Sequence, residues 1–203
     1  RATTIVRFAE GSSFSAHTHD GGEEYLVLDG VFQDESGDFP VGSYVRNPPT
    51  SSHTPRAEQG ATILVKLHQF DPGDRTQVCV ATDKAAPVSA EGRPGVSVLP
   101  LFADAHEEVR MEDWAPGAEV AIDAPGGLEA FVVSGSFTSG RDGLGRWDWL
   151  RLPPGGRLEA RAGPDGARVW IKTGHLAEML AAPSSPRVAP PDANAPRSDS
   201  ERW

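Results

Sequence analysis

The same punctuation occurs twice in this chain. Gly11 is answered by Gly117, 106 residues on, and Gly30 by Gly135, 105 residues on. Gly21-Gly22 is answered by Gly126-Gly127, Pro48-Pro49 by Pro153-Pro154, and the run "TILVKLH" by "RVWIKTGH". A repeat of this length implies two copies of one structural unit. Within each copy the apolar runs are short and β-branched, and Gly, Pro, Asn or Asp close them: Thr3 to Phe8, Phe14 to His19, Glu24 to Leu28, Phe39 to Arg46, Ala61 to Phe70, then Val96 to Leu101 and Glu107 to Trp114. Long amphipathic helical patterns are absent. The expectation is an all-β chain whose units are antiparallel barrels or sandwiches. The first unit is expected over 1–75, a connector over 76–95, the second unit over 96–180, and a disordered Pro/Ala/Ser-rich tail over 181–203. Leu176 to Leu180 is expected to form a short helical turn before that tail.

The first copy carries chemistry that the second lacks. His17 and His19 stand two residues apart on a strand, so they point to one face. Glu23 follows a Gly-Gly turn that lets the chain fold back towards that face. Its neighbour Glu24 lies on the opposite face of the same strand, so only one of the two carboxylates can reach the imidazoles. His53 arrives after the Pro48-Pro49 turn. Three neutral imidazoles and a carboxylate suit a borderline divalent metal. In the register of the repeat, His17 becomes Ile122, His19 becomes Ala124, Glu23 becomes Leu128 and His53 becomes Leu158. Those side chains offer no lone pairs and would fill an interior that holds no ion. One divalent metal per chain is expected, with zinc foremost and Fe(II), Mn, Ni and Cu(II) left open.

The spacing Gly11, five residues, His17-x-His19, three residues, Glu23, six residues, Gly30 matches the first cupin motif, and Pro40-Val41-Gly42 to His53 resembles the second. The stretch "HTHDGGEEYLVLDGVFQDESGDFPVGSYVRNPPTSSHTP" is similar to the cupin half of ChrR-like anti-sigma factors. The resemblance covers residues 3–70 and, through the repeat, extends to about 176. It implies a double-stranded β-helix bicupin of the RmlC-like superfamily with a degenerate second barrel. It also implies a metal on His17, His19, Glu23 and His53, choosing Glu23 over Glu24. In that family the zinc cupin accompanies a separate helical anti-sigma domain with its own His/Cys zinc site. No such segment stands in this sequence, so contact with a sigma factor would require residues upstream of Arg1. The leading expectation is a metal-binding regulatory or sensory module. The alternative, from similar cupins, is a non-haem dioxygenase cleaving a small diketone or hydroxyaryl ketone, with Fe(II) on the same four residues. Four ligands in a tetrahedron close a zinc site, whereas an octahedron leaves two positions for a small molecule.

Charge and composition narrow the partners. A net charge of -10 argues against a nucleic-acid surface. No run approaches a membrane span and no signal peptide is visible, so the cytoplasm is the default, with a small-molecule ligand and a homodimer as the partners to consider. Cys79 is the single cysteine, which precludes an internal disulfide; it is expected to be buried and inert. His68 is expected on the barrel strand as a core or outer-sphere histidine, and His106 and His175 on loops or the surface. Phe14, Tyr25 and Tyr44 are expected as pocket walls or plain core.

Overall fold

A computed structural model describes residues 2–177, and the elements among them are eighteen β-strands. The tail over 181–203 lies outside the described residues, as does most of the expected turn at 176–180. The first copy runs β1 (Ala2–Phe8), β2 (Ser12–Ser13), β3 (His17–His19), β4 (Glu23–Asp34), β5 (Gly37–Pro40), β6 (Ser43–Asn47), β7 (Ser51–His53), β8 (Arg56–Ala57) and β9 (Ala61–Leu67). Then come β10 (Val78–Ala81) and β11 (Val88–Ser89). The second copy runs β12 (Val96–Ala103), β13 (Glu108–Trp114), β14 (Glu119–Ala124), β15 (Leu128–Ser139), β16 (Asp142–Leu144), β17 (Trp149–Leu152) and β18 (Gly156–Thr173).

All pairings are antiparallel. The first large sheet orders β1-β9-β4-β6-β10, with β2, β5 and β8 branching from it, and β3 pairs with β7 as a separate two-stranded sheet. The second orders β11-β12-β13-β18-β15-β16, with β14 on β18 and β17 on β15. β10 therefore extends the first sheet at β6, and β11 the second at β12. The registers coincide: His17 is the Cα partner of His53, and Ile122 that of Leu158. Glu23 lies between Asn47 and Leu67, and Leu128 between Leu152 and Thr173. The glycines that mark the repeat explain themselves at one contact. A Cβ on Gly30 would stand 2.1 Å from the Gly60 carbonyl oxygen, and one on Gly135 2.2 Å from that of Gly166. Both have positive φ, so glycine is needed twice over.

Period two along β4 sorts the core. Tyr25 and Val27 enter the interior of the first copy with Phe8, Phe32, Val45, Ile63 and Val65. Leu26 and Leu28 face the other way and pack with Tyr44 and Leu64 against Leu99, Leu101, Val109, Met111, Phe131 and Trp170 of the second copy. The interior of the second copy is apolar, with Ala124, Leu128, Ala130, Val132, Leu158, Val169 and Ile171 fully buried.

The face between the copies also buries charge. Lys172 Nζ lies 2.7 Å from Glu24 Oε2 and 2.9 Å from Glu107 Oε2, and Lys66 pairs with Glu129. Tyr44 donates to Glu24 Oε1 at 2.5 Å. Arg46 pairs with Asp74 and Glu107 and stacks between the Phe70 and Phe102 rings, 3.8 Å from each centroid. Of its two expected roles Tyr44 thus takes that of core, on the face between the copies. His175 also departs from expectation: it is buried, 3.4 Å from Glu129 Oε2. Its backbone follows β18 into the interface, where the carboxylate provides a partner. Cys79 is exposed rather than buried, because β10 is the outer strand of its sheet. Partial desolvation, then Asp34, pushes its thiol pKa up.

Burial alone would raise the Glu24 carboxyl; the charge and hydrogen bond of Lys172, with Tyr44 and Lys66, outweigh it and hold the group below its ordinary value. A folded-state pKa below the unfolded one stabilises the fold above the unfolded value, and that contribution fades as pH falls through it. Glu24→Gln removes one partner of a buried pair and is expected to cost about 3–5 kcal/mol at pH 7. The gap between parent and variant in urea unfolding should hold above about pH 5 and shrink below about pH 4.5. A gap constant down to pH 3 would contradict the pairing.

Candidate metal centre

The site assembles from three pieces of backbone. β3 presents His17 and His19, β7 presents His53 across the ladder from His17, and β4 opens on Glu23. The imidazole centroids form a triangle with sides of 4.8, 5.1 and 4.9 Å. One nitrogen from each ring falls within 4.8 Å of the other two, a group that could hold a metal ion. Glu23 Oε2 stands 3.5 Å from both His19 Nε2 and His53 Nε2. His19, His53 and Glu23 are buried; His17 is exposed and forms the outer side.

The tautomers follow from the partners. Ser15 offers a carbonyl oxygen 2.9 Å from His17 Nδ1, and a carbonyl only accepts, so that nitrogen carries the proton. Asp34 Oδ2 lies 3.2 Å from His53 Nδ1 and sets the same tautomer there. Asp34 is itself fixed, since its Oδ1 accepts from the Ser36 amide at 2.7 Å. Both rings are therefore left with Nε2 as the lone-pair nitrogen, and that of His53 faces His19 and Glu23, the arrangement by which an outer carboxylate or carbonyl orients a metal-binding histidine. His19 Nε2 is 2.9 Å from His53 Nε2, and with the latter bare, His19 donates when no ion intervenes. Two ring nitrogens so close, with a carboxylate beside them, fit a divalent cation better than they fit one another.

Electrostatics agree with that fit. Desolvation, then the His53, His17 and His68 rings, pushes His19 down to about 4, so it stays neutral across the physiological range. Burial pushes Glu23 up to about 7, with Asp34 adding and the Asn47 amide, 3.3 Å away, opposing. Tyr25 is buried beside the site, its ionisation pushed up by desolvation and by Glu23, Asp34 and Cys79.

Other expected residues fall elsewhere. Glu24 faces the second copy. His68 is just past β9, exposed and at φ 57°, and its amide donates to the Gly22 carbonyl at 3.1 Å. It is neither on the strand nor in the core, because β9 ends at Leu67 and the chain turns over the Gly21-Gly22 bend. Phe14 is 53 % exposed and packs edge-on to Phe8 at 5.3 Å. His106 lies on an exposed loop. Asp34 and Ser15 are the contributors that the sequence concealed. Asp34 sits 19 residues from the ring it orients, and Ser15 acts through its backbone. Two open grooves, of about 410 Å³ by Glu119, Thr138 and Arg161 and of about 540 Å³ by Arg93, Asp113 and Trp114, share no residue with the cluster.

Residues 1–71 match the ChrR cupin-like domain family. The fold is that of cupins of known structure. A candidate dioxygenase from Nostoc punctiforme superposes with a TM-score of 0.72 at 15% identity, over 87% of this chain and 70% of that one. Oxalate decarboxylase from Bacillus subtilis gives 0.62 at 14% identity, over 85% and 67%. Salicylate 1,2-dioxygenase from Pseudaminobacter salicylatoxidans gives 0.62 at 10% identity, over 88% and 72%. No curated protein matches in sequence. Among the described residues no helix is long and apolar enough to cross a membrane.

Asp34→Ala frees the His53 ring and is expected to weaken metal binding about 10–100-fold while the fold persists. Calorimetric titration with Zn²⁺ measures this; equal affinity would mean that Asp34 does not orient the ligand. The pH dependence has a defined sign. Glu23 must lose its proton to bind a cation, and in the metal-free protein it holds that proton below about 7. Affinity is therefore expected to fall as pH drops below about 7, whereas His19 should not compete until about 4. Glu23→Gln should flatten the profile between pH 7.5 and 5 relative to the parent; an unchanged slope would remove Glu23 from the site.

Proposed function

We propose that this chain is a metal-binding regulatory or sensory module that carries one divalent ion, zinc foremost, on His17, His19, Glu23 and His53. The observation that carries this reading is the His17, His19 and His53 cluster, with one nitrogen from each ring within 4.8 Å of the others, Glu23 Oε2 3.5 Å from His19 and His53, and Ser15 and Asp34 fixing the His17 and His53 tautomers. A bound ion would supply Lewis acidity and a fixed positive charge in a half-buried setting. The chain's own residues supply the rest. β3 and β7 pair with each other in a two-stranded sheet, and Glu23 stands on the large sheet. Ligands from both sheets would tie the small sheet to the large one, so binding free energy becomes local folding energy. That coupling is what a metal-sensing element needs.

A second reading, a metal-dependent dioxygenase, is favoured by the likeness to the Nostoc and Pseudaminobacter proteins and by the exposure of His17, which leaves one side of the cluster open to a small molecule. On that reading Asp34 and Ser15 orient the ligands, and Glu23 and Asn47 hold charge at the inner wall.

His53→Ala separates the metal from the scaffold. Zn²⁺ should raise the parent's thermal midpoint, and the variant should fold but lose about 100-fold or more in affinity together with that rise. Full affinity in the variant would place the metal elsewhere. Fe(II)-loaded parent in an oxygen electrode with a small diketone or hydroxyaryl ketone then decides between the readings: steady oxygen uptake above the metal-only rate would favour the enzyme, and its absence the sensory module.

A further inference from the structure

Tyr25 carries a feature that the metal centre does not explain. It is two residues beyond Glu23 on β4, so both side chains point to the inner face of the first copy. It is 1% exposed, and its hydroxyl is buried with no hydrogen-bond partner. The ring is held between Phe32, at 4.9 Å between centroids, and Phe39, at 6.0 Å. Phe32 in turn lies 6.1 Å from the His53 ring. A tyrosine this well fixed cannot swing its hydroxyl out to water. Buried hydroxyls are normally paired, because an orphan forfeits its hydration without return.

The second copy supplies an internal comparison. At the matching position stands Ala130, 0% exposed, with Leu150 and Ile171 as its Cα partners where Tyr25 has Val45 and Val65. Around it the character of the strand persists: Glu24 corresponds to Glu129, Leu26 to Phe131 and Val27 to Val132. The copy without metal ligands thus also lacks the hydroxyl, while the charged and apolar positions beside it keep their type.

We infer, on the reading that the histidine cluster holds a divalent ion, that the Tyr25 hydroxyl is a positioning residue: it donates a hydrogen bond to a small oxygen- or nitrogen-terminated ligand bound on the inner side of the metal. The ligand class is an acceptor, neutral or anionic, small enough to lie between the ring and the cluster. A phenol donates one hydrogen bond there and adds no charge.

The probe is azide, titrated into Co²⁺-loaded parent and Tyr25→Phe and followed by the visible absorption of the cobalt. Removing one hydrogen bond to a charged acceptor should raise the azide dissociation constant about tenfold. The Co²⁺ affinity should stay within about twofold, since Tyr25 is not a ligand. The unfolding midpoint of the metal-free protein should hold or rise, because phenylalanine keeps the ring and drops the orphan. A purely structural tyrosine would give the reverse: unchanged azide affinity, or a variant that is less stable or unfolded, and either result overturns the inference. Parent that binds Co²⁺ but not azide would overturn it too, leaving the metal centre standing. Parent that binds no Co²⁺ would overturn both.

Discussion

Four charges buried between two sheets hold this molecule together. Lys66 lies opposite Glu24 in its own sheet yet bonds Glu129 of the other, and Lys172 lies opposite Glu129 yet bonds Glu24. None of the four is more than 1% exposed. Docking the copies takes these ions out of water, and the crossed pairs offset that cost together with partners from their own copy, Glu107 for Lys172, Tyr44 for Glu24 and Arg151 for Glu129. The apolar face around Leu26, Leu64, Phe131 and Trp170 is sealed by the same contact.

That constraint reaches the candidate metal centre through one strand. Along β4 successive residues serve different neighbours: Glu23 faces the histidines, Glu24 the second copy, Tyr25 the interior and Leu26 the interface again. A slip of one residue would exchange all four roles. The crossed ion pairs oppose such a slip, because it would place Tyr25 among the lysines and Glu24 among the rings. The rigid face of β4 in turn gives Glu23 a fixed position, against which β3 and β7 bring the imidazoles. The second copy keeps the backbone and the interface and exchanges the lone pairs for Ile122, Ala124, Leu128 and Leu158.

The fold was legible because it is written in local chemistry. Glycines at positive φ and paired prolines recur at constant spacing, and strand periodicity shows which side chains share a face. The two-residue step from His17 to His19 and the register that turns His53 into Leu158 could be read in the same way. What the sequence concealed depends on contacts across long separations. Lys66 and Lys172 look like ordinary polar positions on amphipathic strands until the other copy is docked on them. Asp34 reads as a loop carboxylate until β7 returns beside it, and His175 reads as a loop histidine until β18 carries it to Glu129. Cys79 was misplaced for a related reason, since which strand ends a sheet is a property of the assembled molecule, and so is the face of β6 that carries the core residue Tyr44 to the second copy.

One backbone occurs twice in this chain, and we propose that only its first copy holds an ion. Elemental analysis of metal-loaded, desalted protein tests it most directly. The parent should carry close to one equivalent per chain, and the double substitution His17→Ala, His19→Ala should carry close to none. Two equivalents in the parent, or one remaining in the double variant, would contradict the account, because the apolar set at Ile122, Ala124, Leu128 and Leu158 has no atom with which to hold a cation.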